Sequence, residues 1–147
     1  MSFQEKRALV VLVSSIAITV LYSAYMLSRY PVSDAYSPEV FRFWGNFFLI
    51  LVVVTILANI VIHIVFSILN TIVTREDEPI SDERDELIDL KASRYALYVF
   101  SVGFLLAMLS LVLEQPPAVM FTVLLCGGLA SQVVAEALRF HLYRRGF

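Results

Sequence analysis

Residues 43–74 read FWGNFFLILVVVTILANIVIHIVFSILNTIVT, 32 positions without Asp, Glu, Lys or Arg. A helix crosses a hydrocarbon layer with about 20 predominantly apolar residues. The stretch lacks the period-two alternation of a barrel strand and contains no proline. In lipid the backbone must hydrogen-bond to itself, so the stretch predicts a membrane-spanning helix. At about 1.5 Å per residue it makes a helix of about 48 Å, against a hydrocarbon core of about 30 Å. Such a helix must tilt, kink or emerge from one face. Asn59, His63, Ser67, Asn70, Thr71 and Thr74 gather in its second half, which predicts emergence on that side. Phe41, Phe43, Trp44, Phe47 and Phe48 crowd its start, as an aromatic belt at the opposite interface would.

Outward from this stretch, three more charge-free runs have spanning length: 8–28, 95–113 and 115–135. The first follows Lys6 and Arg7 but is longer than a signal-peptide core of about 7–15 residues, so it reads as a retained helix. Tyr30-Pro31 and Ser37-Pro38 mark the first loop, and Glu114-Gln115-Pro116-Pro117 a tight connection between the last two helices. The expectation is an all-α, integral membrane four-helix bundle in one domain, 1–147. Its spans are about 8–28, 43–74, 95–113 and 116–138. The second and third helices extend into the cytosol as an acidic hairpin at about 72–94.

Composition agrees. Of the 147 residues, 59% are hydrophobic and 16% charged, with a mean hydropathy of +0.79. A soluble domain of this size needs about 25% charged residues for its polar skin. The formal net charge of −2 gives no attraction to nucleic acid. The lone cysteine, Cys126, excludes an intramolecular disulfide and reads as a small apolar packing residue.

Basic residues set the expected orientation. Lys6, Arg7, Arg75, Arg84, Lys91, Arg94, Arg139, Arg144 and Arg145 fall on one side of a four-span topology, and Arg29 and Arg42 on the other. The positive-inside rule then puts both termini and the second loop in the cytoplasm of a multi-pass cell-membrane protein.

Eight of the thirteen acids lie between Glu76 and Asp89. Ser81 is an expected N-cap, and acids in the following turn suit the helix dipole. At helical spacing Asp82 faces Asp85 and Glu86, Glu83 faces Glu86, and Asp85 faces Asp89. No acid between Asp82 and Asp89 has a basic neighbour at helical spacing. Asp82, Glu83, Asp85, Glu86 and Asp89 are therefore the candidate partner-binding residues. One reading is a solvated charge run. The other docks the segment against Lys6, Arg7, Arg139, Arg144 and Arg145 at the ends of the first and fourth helices, in the same chain or a second copy, with Leu87, Ile88 and Leu90 as its apolar contacts. Proline without glycine argues against a calcium loop of the EF-hand type.

The segment Ser81-Asp82-Glu83-Arg84-Asp85-Glu86-Leu87-Ile88-Asp89-Leu90-Lys91-Ala92-Ser93-Arg94 resembles the Asp-Glu-Arg-Asp/Glu…Lys-Ala signature of uncharacterised small four-helix prokaryotic membrane proteins. Members of that group are often encoded beside helix-turn-helix regulators. The resemblance implies a prokaryotic membrane protein paired with a basic cytosolic partner such as a transcriptional regulator. It implies no catalytic residue.

Within the membrane, Thr55, Asn59, His63, Ser67, Asn70 and Thr74 share one stripe of the second helix. In the fourth, Gln132 and Glu136 lie one turn apart, and Arg139 follows Glu136 at i+3. Intramembrane polar groups face the bundle interior or a water cavity. Asn59, His63, Gln132 and Glu136 are thus candidates for one inward cluster. It would serve as interhelical hydrogen bonding, as a proton or substrate path using the near-neutral titration of histidine, or as haem or metal ligation by His63 of two copies. Small-residue stripes on the third helix (Ala92, Ala96, Gly103, Ala107) and the fourth (Gly127, Ser131, Ala135) predict close helix packing, within a chain or in a homodimer. No Ser/His/Asp set, phosphate loop or metal-ligand spacing is present, so no enzyme activity, cofactor or metal site is expected. The function expected is regulatory or interactive through the acidic helix. A small proton-coupled transporter or channel subunit using His63 and Glu136 is the alternative.

Overall fold

The computed structural model describes residues 3–74 and 83–145. Four helices, α1 (Phe3–Leu27), α2 (Pro38–Thr74), α3 (Glu83–Val112) and α4 (Pro117–Arg145), alternate in direction. Each is long and apolar enough to cross a membrane, and the chain is a multi-pass, all-α four-helix membrane bundle. The helices run past the charge-free stretches because a charged side chain does not interrupt backbone hydrogen bonding. The arginines ending α4, for instance, suit the negative end of its dipole. Ser81, the tip of the acidic hairpin and Asp82 lie outside the described residues.

Local chemistry sets the visible ends. The Val40 amide reaches the Ser37 hydroxyl at 3.4 Å, so Ser37 caps α2 while Pro38, which has no amide hydrogen to lose, takes the first helical position. At the end of α3 the Glu114 amide donates to Leu111 O and the Gln115 amide to Ser110 O, both at 3.0 Å. This pair of bonds is a Schellman closure, with Glu114 left-handed at φ 55°. Pro117 then opens α4.

α4 is the hub. It packs along α3 and α1 and touches α2, while α1 packs against α2. The described parts of α2 and α3 do not pack against each other. The polarity of the fold is inverted relative to a soluble protein. Val52, Val53, Ile56, Leu57, Ile60 and Val61 are half-exposed, whereas Ser15, Thr19 and Glu136 are buried. Lipid as the outer solvent accounts for that inversion.

Two contacts fix the helices. Gly103 and Gly127 meet where α3 crosses α4: a Cβ on Gly103 would lie 2.9 Å from the Gly127 Cα. Ala92, Ala107 and Ala135 are buried along the same two helices. The small-residue stripes are thus used within one chain. At the other contact, near the first and third loops, Val40, Trp44 and Phe47 form a buried cluster against α1 and α4. Trp44 stacks on Phe121 with centroids 5.3 Å apart, and the Tyr22 hydroxyl donates to Phe47 O at 2.9 Å. This corrects the aromatic-belt expectation. Trp44 is 2% and Phe47 0% exposed, so they pack inward, and Phe41 alone of the five keeps an exposed ring. Large rings fill the gap where α2 first meets α1 and α4, and that packing outweighs an interfacial seat.

Candidate functional site: a charged junction of four helices

At the end that carries the chain termini, all four helices contribute to one polar cavity of about 180 Å³. On α1, Gln4, Arg7, Ala8 and Val11 recur at helical spacing and present one stripe. From α2 comes His63, from α3 Asp89, and from α4 Glu136, Arg139 and Tyr143, spaced at i, i+3 and i+7. Asp85, one turn before Asp89, borders the same face. It accepts from Gln4 Nε2 at 3.4 Å and has Tyr143 beside it.

Arg139 organises the charges. Its Nε donates to Asp89 Oδ1 at 2.8 Å, and its Nη1 donates to Glu136 Oε1. The Glu136 side chain is only 9% exposed, against 59% for Asp89 and 27% for Arg139. A buried carboxylate needs a partner to hold its charge, and here the nearest cation is one turn along its own helix. Across the cavity Arg7 Nε donates to His63 Nδ1 at 3.3 Å, so that imidazole nitrogen is the acceptor. The arrangement can hold water or a small polar group among two guanidinium groups, two carboxylates and an imidazole. Among the described residues no three His, Cys, Asp or Glu side chains form a metal-holding group.

The cluster expected inside the membrane divides. His63 and Glu136 line this cavity together. Gln132 instead lines a separate apolar groove, between Thr55 of α2 and Phe100 of α3. Asn59 lines neither. Near its start α2 packs against both α1 and α4, and toward its far end His63 meets Arg7 of α1. Of the acids on α3, Asp85 and Asp89 face the junction, and Glu83 and Glu86 are exposed. Of the expected apolar contacts, Ile88 is buried at 1% while Leu87 and Leu90 are more than half-exposed. Helical rotation allows one face of the segment to dock, so the three cannot all be buried.

Sequence reading missed Gln4 and Tyr143. The signals were present: Gln4 begins the spacing that continues through Ala8, Val11, Ser15 and Thr19, and Tyr143 repeats Glu136 and Arg139 on the inner face of α4.

Comparison with family models, with curated proteins and with solved structures finds no match.

Proposed function

We propose that this chain is a non-enzymatic regulatory or interaction protein, oriented with its termini in the cytoplasm, whose acidic α3 start engages a basic cytosolic partner such as a transcriptional regulator. The observation that carries this reading is the division of the α3 acids. Asp85 and Asp89 bind back onto α1 and α4, while Glu83 and Glu86 point outward within a turn of them. A cationic partner on the outward pair competes electrostatically with Arg139 for Asp89, at a site where exposure keeps the exchange inexpensive. Partner binding and the junction are then linked through one helix, as an interaction switch requires. The resemblance of residues 81–94 to small membrane proteins encoded beside regulators supports the same partner class.

Photo-crosslinking from position 86 of the full chain in living cells, read by mass spectrometry, tests this. The expected product is one recurrent cytosolic protein, lost when Glu83 and Glu86 are reversed to lysine. Crosslinks to lipid or to the chain itself alone overturn it. Thiol labelling at positions 2, 35, 85 and 147, with Cys126 replaced, tests the orientation. Position 35 should react from outside intact cells and position 85 should not.

A proton-coupled transporter is the second reading, favoured by His63 and Glu136 lining one cavity. Proton flux into proteoliposomes that falls in His63→Ala and Glu136→Gln would support it. Flux equal to protein-free vesicles would remove it.

A further inference from the structure

The outer face of the same α3 segment carries a second site. A cleft of about 250 Å³ between α3 and α4 is lined by Leu87, Ile88, Leu90, Lys91 and Arg94 with Leu142. Lys91 and Arg94 are one turn apart and exposed, and none of the residues lining the cleft is acidic. Arg94 makes no ion pair among the described residues.

Depth identifies the ligand. Counting about 20 residues of hydrocarbon back from Val112, the loop end of α3, places the inner edge of the apolar layer near position 93. Helical side chains lean toward the N-terminus, so Lys91 and Arg94 extend outward from that edge, to the level of Leu87 and Leu90. That level is the phosphate plane of a bilayer. Leu87 is 56% and Leu90 59% exposed there, too apolar for open water and suited to the boundary between headgroup and acyl chain. Basic pockets between spanning helices at this depth attract lipid phosphate.

We propose that this cleft binds the headgroup of an anionic phospholipid, with its phosphate between Lys91 and Arg94 and its glycerol against Leu90 and Leu142. The site tethers the outer face of the α3 start to the membrane surface while Asp85 and Asp89 hold the inner face.

Thermal unfolding of the detergent-solubilised full chain, titrated with short-chain phosphatidylglycerol, phosphatidylcholine or glycerol phosphate, tests the proposal. Phosphatidylglycerol should raise the unfolding temperature saturably, and the other two should not. Lys91→Gln and Arg94→Gln should each weaken the apparent affinity about fivefold, from about 1 kcal/mol per basic residue at an anionic surface. The Arg29→Gln/Arg42→Gln variant, altered at the opposite end, should bind as the unaltered chain does, and Lys91→Arg should keep most of the affinity. An equal effect of phosphatidylcholine overturns the proposal. So does saturation by glycerol phosphate alone, which would mark a free-anion site, or full affinity in the Lys91→Gln/Arg94→Gln variant. Should that double variant fail to fold, native mass spectrometry of the unaltered chain decides. Retained phosphatidylglycerol over phosphatidylcholine supports the site, and equal retention overturns it.

Discussion

Arg139 on α4 bonds Asp89 on α3 through Nε at 2.8 Å while its other arm holds Glu136, so one guanidinium ties a surface carboxylate to a buried one. The two acids depend on it unequally. Asp89 is more than half-exposed and has water as an alternative, whereas Glu136 is nearly enclosed. Arg139→Met should therefore destabilise the bundle by about 2 kcal/mol. This is less than the cost of breaking a fully buried pair, because Arg139 keeps part of its own exposure. Asp89→Asn should cost about 0.5 kcal/mol. Adding Glu136→Gln to Arg139→Met should recover most of the loss, since the stranded charge is then gone. A double-mutant cycle by chemical unfolding in detergent checks this. Additive losses would show that Glu136 is satisfied by another group.

The crossing of α3 and α4 makes a sharper steric prediction. A methyl group on Gly103 would sit 2.9 Å from the Gly127 Cα, and the obstacle is backbone, which cannot rotate away. Gly103→Ala should cost about 2 kcal/mol, within the range for overpacking, even though alanine is the better helix former. Gly127→Ala, at 3.1 Å from the Gly103 Cα, should cost somewhat less. Gly45 and Gly128 have open space where a Cβ would go, so Gly45→Ala and Gly128→Ala should be neutral or stabilising by up to about 1 kcal/mol. Equal effects at all four glycines would mean the helices do not cross at this point.

Trp44 and Phe41 separate an inward aromatic cluster from an interfacial belt. Trp44 stacks on Phe121 and is almost fully enclosed, while Phe41 is 45% exposed. Trp44→Ala should lower stability by about 3 kcal/mol and loosen α2 from α4, read as faster hydrogen exchange at the start of α2. Phe41→Ala should cost under about 1 kcal/mol. Comparable losses for the two would favour the belt.

That pair also shows how far the sequence could be read. The helix count followed from charge-free length, because lipid leaves the backbone no other fold for residues 43–74. The i+3 pairing of Glu136 with Arg139 was equally legible, since both lie on one helix. Contacts between helices were not. Which way Trp44 faces depends on where α1 and α4 stand, and aromatic residues near a helix start read alike in a belt and in a core. Asn59 and His63 lie one turn apart in the sequence, yet of the two His63 alone lines the junction, where it meets Arg7 of α1. The stripes that carry Gln4 and Tyr143 were legible within each helix, but nothing in one helix announces the neighbour it meets.

At the turn between α3 and α4 local geometry decides alone. Glu114 sits at φ 55° in the closing position of a Schellman motif, a place that favours glycine because an L side chain there crowds its own carbonyl. Its side chain is exposed and forms no ion pair among the described residues, so replacing it sacrifices little. Glu114→Gly should stabilise the bundle by up to about 1 kcal/mol, the left-handed penalty less the added freedom of glycine in the unfolded chain. Glu114→Val, β-branched and poorly suited to this conformation, should cost about 1 kcal/mol or more. Unfolding of both variants beside the unaltered chain tests the ordering. If valine proved at least as stable as glycine, the helix would have to end by a different closure, with the bonds to Leu111 and Ser110 absent.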